Sequence, residues 1–284
     1  MNANSLKRAL GWLLPFVLVA CAMTGGAQSD PSREDRAARL AKAEAMFAER
    51  CKTAGEKIHR TVDNVEGIFL MKLRPEGINR ENQFAMDDPY GRDLGGEGYI
   101  QSFARGFETR QKQFAPGAPP RMGYRYVEAI DPKDGKRYRY TGAIRQVHIK
   151  PSVLMGDDPN GKGFYTNQFV LDKIPVTDVV PRYGVTYDDI STREEREHWI
   201  AGSSLRVIDL KTNEIIAERI GYMMDRGQGN DSGGRAPWLM AADNACPGFQ
   251  RNPLLPIPPG HGASAQQIQT EDFVEKVLKP ILEK

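Results

Sequence analysis

Two stretches rich in aromatic and β-branched residues, 124–130 and 136–148, flank the segment Asp131-Pro132-Lys133-Asp134-Gly135. Asp, Pro and Gly are the residues that reverse a chain, so this arrangement predicts a β-hairpin. Alternation sets Tyr124, Tyr126 and Ile130 on one face, with Tyr138, Tyr140 and Ile144 beside them, and turns Arg137, Arg139 and Arg145 to the other. The tyrosine face reads as core. The arginine face is either a solvated surface or a candidate binding face for an acidic protein or phospholipid headgroups. A second hairpin is expected from 205–210 and 215–223 across Lys211-Thr212-Asn213-Glu214, and 67–73, 164–171 and 184–187 read as further strands.

Three helices are read from the pattern. The first helix starts at Ser32, with Asp35 completing a capping box, and carries an apolar stripe of Ala37, Leu40, Ala41, Phe47, Ala48 and Cys51. Ser191 and Glu194 form a second capping box that opens a short charged helix running to Trp199. The last helix is capped by Thr270 and presents Phe273, Val274, Val277, Leu278, Ile281 and Leu282. That stripe is expected to dock on the parent sheet, the alternative being a partner or the membrane surface. The fold class is therefore α+β, a mostly antiparallel sheet with N-terminal and C-terminal helices.

Lys7 and Arg8 precede an apolar run from Ala9 to Ala20 that is too short to span a bilayer, the pattern of an export signal. Leu18-Val19-Ala20-Cys21 resembles a bacterial lipobox, which implies lipidation of Cys21 and cleavage before it. A plain signal cut after Ala27 is the other reading. Ala22 in place of Asp resembles the sorting pattern of lipoproteins held at the periplasmic side of the outer membrane. The other two cysteines, Cys51 and Cys246, then face an oxidising compartment, where they are expected to form one disulfide. The organisation read from this is a signal peptide at 1–20, a flexible tether at 21–31 and a globular α+β domain at 32–252. A proline-rich connector follows at 253–269, and an amphipathic helix at 270–284 ends the chain.

Charge excludes one class of partner. Among 284 residues, 39 Lys and Arg stand against 37 Asp and Glu, and without the first 20 residues the two signs balance at 37 each. A nucleic-acid binder is not expected from a neutral chain. Only His59, His148, His198 and His261 are present, and neither HExxH, CxxC, Walker A nor a dinucleotide glycine motif occurs. No catalytic set, metal site or cofactor is expected. Three strings invite chemistry without satisfying its spacing. Asn230-Asp231-Ser232-Gly233-Gly234 is similar to a serine-protease nucleophile loop, but Asn230 stands where that loop needs glycine. The acidic loop 87–93 departs from EF-hand spacing, and His198 lies among Glu194, Glu195 and Glu197 as it would in a surface ion-pair cluster.

The segments YDDISTREEREHWIAGSSLRVIDLKTNEIIAERIGY and PWLMAADNACP resemble a family of proteobacterial lipoproteins associated with secreted phospholipase toxins. The resemblance covers mainly the second half of the chain. It implies a non-enzymatic immunity role, in which a lipid-anchored periplasmic protein binds one protein partner, a toxin. A structural lipoprotein of an envelope or secretion assembly is the alternative, and a hydrolase acting through Ser232 the third.

Overall fold

The structure, a computed structural model, describes residues 31–76, 83–84, 86–91, 95–107, 122–150, 163–249, 266 and 269–282. The expected export segment, Cys21, the tether through residue 30 and the proline-rich connector apart from Gln266 and Gln269 lie outside the described residues.

Strand-forming sequence dominates the middle of the chain. After α1 (Pro31–Cys51) come three four-residue strands, β1 (Gly55–Ile58), β2 (Val62–Val65) and β3 (Gly67–Leu70), and then α2 (Glu97–Phe103). The first predicted hairpin is β4 (Tyr126–Ile130) with β5 (Arg137–Ile149), which continues into β6 (Phe164–Pro175). β7 (Tyr183–Asp189) and α3 (Arg193–Glu197) lead to the second hairpin, β8 (Ile200–Asp209) and β9 (Glu214–Met224). The chain finishes with α4 (Pro237–Ala241), β10 (Ala245–Cys246), α5 (Gln269–Val277) and β11 (Leu278–Pro280).

Nine of these strands form one sheet in the order β1-β9-β8-β7-β3-β4-β5-β6, with β10 beside β1 on the same edge of β9. Every pairing in it is antiparallel except those of β3, which runs parallel to both β4 and β7. The crossover from β3 to β4 passes through α2, as a parallel connection requires. The α+β, mostly antiparallel architecture expected from the sequence is present.

One face of the sheet makes the main core. Ile68, Leu70, Val127, Ala129, Val185, Leu205 and Val207 are fully or almost fully buried there against Tyr99 and Phe103 of α2 and Phe273, Val274 and Val277 of α5. Each Val, Leu, Ile and Phe side chain among them stabilises the fold by about 1.5–3 kcal/mol on leaving water. On the opposite face, Ala43, Met46 and Phe47 of α1 meet Ile200, Tyr222 and Met224 at one end. A third cluster packs Trp238 and Ala241 of α4 on Met86, Tyr90, Ala201 and Met223. Tyr90 lies so close to β9 that a Cβ on Gly221 would come within 2.0 Å of its ring, so the sheet needs glycine there.

Four local expectations are corrected. In α1 the buried stripe runs through Leu40, Ala43, Met46, Phe47 and Cys51, whereas Ala37, Ala41 and Ala48 are exposed, because only one narrow edge of the helix touches the sheet. The second capping box is Thr192 with Glu195, one residue later than expected: the Glu195 amide donates to Thr192 Oγ1 and the Thr192 amide to Glu195 Oε2. The first hairpin pairs Val127 with Tyr140 and Ala129 with Tyr138, so Tyr126 and Ile130 share a face with Arg139 and Arg137 and not with the tyrosines of β5. A one-residue change of register exchanges the faces of a strand. Finally, the last helix ends at Val277. Leu278–Pro280 is a short strand parallel to β2, Pro280 having no N–H to continue a helix, and Leu282 is exposed. The docking itself is as expected, with Phe273, Val274, Val277 and Leu278 in the main core.

The expected disulfide joins Cys51, the last residue of α1, to Cys246 in β10, with a Cα–Cα distance of 5.6 Å and 195 positions between them. It fastens the far end of α1 to the sheet where Arg50 also pairs with the buried Glu195. In the chain-entropy model so long a loop stabilises the native state by about 5 kcal/mol. Reduction, or Cys246→Ser, is expected to lower the stability measured by urea unfolding by about 3–5 kcal/mol, and an unchanged midpoint would show that the cross-link carries no stability.

Candidate interaction surface

The three arginines of β5 are where alternation put them, on one face, but carboxylates of the chain hold each of them. Glu128, fully buried, accepts from Arg139 Nε at 2.9 Å and Nη2 at 2.7 Å, and Arg137 Nε stands 3.5 Å from its second oxygen. Asp178 takes Arg139 at 3.1 Å and Arg137 at 3.3 Å, while Asp172 of β6 forks Arg145, with Nη1 to Oδ1 at 2.9 Å. Below them Tyr126 lies across Gly67, where a Cβ would fall 2.2 Å from the ring, and Arg139 stacks on it at 4.5 Å. This cation–π contact explains why Tyr126 is stable on the arginine face. Glu128, Asp178 and Asp172 thus compensate the charge of Arg137, Arg139 and Arg145 within the fold.

Beyond Tyr140 the sheet narrows to a ribbon. β5 is paired to β4 only through residues 137–140, and β6 pairs only with β5, so among the described residues no strand covers the outer edge of 141–149 or of β6. A two-stranded ribbon is marginal in water unless its base is packed. Here Phe169 packs the base, 5% exposed, lying over Gly142, where a Cβ would come within 1.9 Å of its ring, and meeting Phe107 edge-on at 5.5 Å. Toward the tip the side chains open to solvent: Ile144 is 43% exposed, Phe164 51% and Tyr165 66%, with His148 and Tyr165 in ring contact at 4.8 Å. Large apolar side chains beside unpaired backbone edges are the features a partner chain uses.

The strings with catalytic or metal-like residues are occupied by structural bonds. Ser232 is exposed, its amide donates to Asn230 Oδ1 at 2.9 Å, and no imidazole is hydrogen-bonded to its hydroxyl among the described residues. The amides that such a loop would aim at substrate, those of Asn230 and Ser232, donate instead to the Gly227 carbonyl at 3.0 Å and to Asn230 Oδ1. His198 Nδ1 contacts the Glu194 carbonyl at 2.9 Å, and the neighbouring carboxylates of Glu194 and Glu195 pair with Lys42 and Arg50 of α1. In the acidic loop, Asp88 is fully buried and holds Arg74 at 2.9 Å, the Ser203 hydroxyl at 2.8 Å and the Gly91 amide at 3.0 Å. Asp87 takes Lys72 at 2.9 Å and the Tyr187 hydroxyl at 3.2 Å. Burial pushes the Tyr187 hydroxyl well above its ordinary value, so it remains a proton donor. Among the described residues no three His, Cys, Asp or Glu side chains come together as a metal site.

Two features escaped the sequence. The Arg74–Asp88–Ser203 hub unites residues more than 100 positions apart, and the ribbon shows only as strands longer than a core needs. Neither family models, curated proteins nor solved structures match this chain. No described helix is long and apolar enough to cross a membrane.

The pairing distinguishes the three arginines experimentally. Replacing both Arg137 and Arg139 by Ala strands the buried Glu128 and is expected to lower stability by about 3–5 kcal/mol. Arg145→Ala removes an exposed pair and is expected to change it by less than about 1 kcal/mol. Equal losses in urea unfolding would refute this division.

Proposed function

We propose that this protein is a lipoprotein anchored through Cys21 at the periplasmic side of the outer membrane, where it binds one protein partner through the β5–β6 ribbon. The observation that carries the binding role is the set of exposed apolar side chains on that ribbon, Phe164 and Tyr165 on opposite faces of its tip and Ile144 nearer its base, beside two edges that no described strand pairs. An extended partner segment adds to such an edge by main-chain hydrogen bonds, and alternate side chains give it register. Phe164 and Tyr165 supply rigid aromatic area of the kind that dominates binding energy. The sharper reading is immunity: the partner is a secreted phospholipase toxin, held before it reaches the cell's own lipids. Its support is the family resemblance of the second half of the chain, together with the lipobox and the disulfide. The role is non-enzymatic and needs no cofactor.

A cross-linked pull-down with the tagged, disulfide-intact protein tests this. Expected is one lipase-like partner at about one-to-one yield, with lipase activity falling as this protein is added. A double Phe164→Ser, Tyr165→Ser variant is expected to lose about 30-fold or more in affinity while keeping its circular dichroism spectrum. Capture of several envelope proteins would favour a scaffold lipoprotein, and unchanged capture by the double variant would remove the ribbon from the account. In the same preparation Cys21→Ser is expected to leave the membrane fraction, and its retention there would defeat the anchor.

A further inference from the structure

Between the N-terminal half of α1 and the loop after β9 lies an open cleft of about 630 Å³, within the size range of small-ligand sites. Arg36 and Arg39 from α1 and Arg226 from the loop line it, with Leu40, Gln228 and Ser232 between them, and no carboxylate is among its described lining residues. This differs from the β5 face, where each arginine has its acid. Arg36 is exposed and has no ion-pair or hydrogen-bond partner among the described residues. Arg39 donates from Nε to Gln228 Oε1 at 3.2 Å and from Nη2 to the Glu197 carbonyl, neutral acceptors that leave its charge uncompensated. Arg226 stands 3.6 Å from Glu44, a loose pair with both side chains in solvent. The Ser232 hydroxyl makes no hydrogen bond among the described residues.

The loop is held in place before any ligand arrives. Asp225, fully buried, accepts the Gly227 amide at 3.0 Å and the Gly229 amide at 2.9 Å, and is forked by Arg235. Gln228 Nε2 donates to the carbonyls of His198 at 2.8 Å and Asp225 at 3.0 Å. Gly229, at φ +83°, is pressed to the Trp199 indole, where a Cβ would come within 2.3 Å, so both the backbone angle and the contact demand glycine. Preorganisation of this kind lowers the ordering cost of binding.

We propose that this cleft binds a phosphate group, borne by a phospholipid headgroup or by soluble phosphate, through Arg36, Arg39 and Arg226 with Ser232 as a further donor. A carboxylate offers one planar edge, which a single guanidinium fork satisfies. A phosphate offers oxygens in several directions and suits guanidinium groups arriving from two elements. The cleft is larger than a bare ion, and Ala37 and Leu40 give it an apolar wall for the body that carries the phosphate. Position favours the headgroup. Arg36 is five residues into α1, about 7.5 Å of helix rise from Pro31, and Cys21 is ten residues before Pro31, a tether of at most about 35 Å. The preference for a headgroup rests on the Cys21 anchor proposed above, whereas phosphate binding itself does not, and the ribbon takes no part in this cleft.

Isothermal titration calorimetry of the full chain in a non-ionic detergent at low ionic strength tests it. The probes are inorganic phosphate and glycerophosphoglycerol, the deacylated headgroup of phosphatidylglycerol. Saturable binding in the ~1 mM range or tighter is expected, weakened about tenfold or more by Arg36→Gln with Arg226→Gln and several-fold by Ser232→Ala. Arg145→Gln, an arginine of the β5 face, is expected to leave it unchanged. Tighter binding of the headgroup compound identifies a lipid source, and tighter binding of inorganic phosphate a soluble one. No saturable binding of either probe, or binding untouched in the Arg36 and Arg226 double variant, overturns the proposal. Because Arg36 has no partner to lose, Arg36→Gln alone keeps the test open should the double variant fail to fold.

Discussion

The whole sheet hangs on four residues. Strand β3, Gly67–Leu70, is parallel to both neighbours and joins two antiparallel blocks, β1-β9-β8-β7 on one side and β4-β5-β6 on the other. Its contact with β7 is only two register pairs, Phe69 with Gly184 and Leu70 with Val185, so ladder hydrogen bonds alone hold the blocks weakly. Side chains make up the difference. α2 and α5 lie over the junction and bury Tyr99, Phe103, Phe273 and Val277 against both blocks, while the Tyr187 hydroxyl reaches back from β7 to the Leu73 carbonyl at 3.1 Å. The end of the chain closes the same region, with Tyr124 donating to the Leu278 carbonyl at 2.6 Å and β11 running beside β2. The last helix is therefore structural.

Buried acid–arginine pairs are the second organising device. Asp88, Glu128, Asp209 and Asp225 are all fully buried, and each is held by arginine: Arg74, Arg139, Arg182 and Arg235 respectively. For Asp209 the hydrogen bond from Arg182, aided by Arg60, outweighs burial and holds the carboxyl down at about 2. The planar fork of arginine satisfies a carboxylate that lysine would meet at one point, which is why the buried partners are of this type. Such pairs add little net stability over an apolar core, yet losing one partner is costly, so they fix one arrangement of the loops around the sheet.

These devices explain what the sequence disclosed. Hairpins, three of the five described α-helices, the α+β class and the Cys51–Cys246 bond were legible because they rest on local pattern: turn residues between alternating runs, capping side chains, and two cysteines left once Cys21 is set aside; α2 and α4, short and without a capping signal, were not. The register of β4 on β5 was not legible, since Tyr126 fits the tyrosine face as well as the arginine face until Gly67 and Arg139 are known to lie beside it. Nor was the β3 junction, because a four-residue apolar run does not announce the direction of its neighbours. For the surface, alternation correctly collected Arg137, Arg139 and Arg145, but their acids come from β4, β6 and the segment before β7, which only the fold brings together.

The fold matches much of this chain's charge locally. Positive and negative residues are nearly equal in number, and where the sheet and its loops pack, arginines are spent on the carboxylates beside them. A cluster without acids among its described lining residues differs from those buried pairs. The α1 cleft is such a cluster, and its loop is fastened by a buried Asp225 whose own charge is met by Arg235 and not by the lining arginines. Of its three arginines only Arg226 meets a carboxylate, the exposed Glu44 at 3.6 Å, so Arg36 and Arg39 keep a charge that the fold does not use, and the proposed binding role draws on that charge.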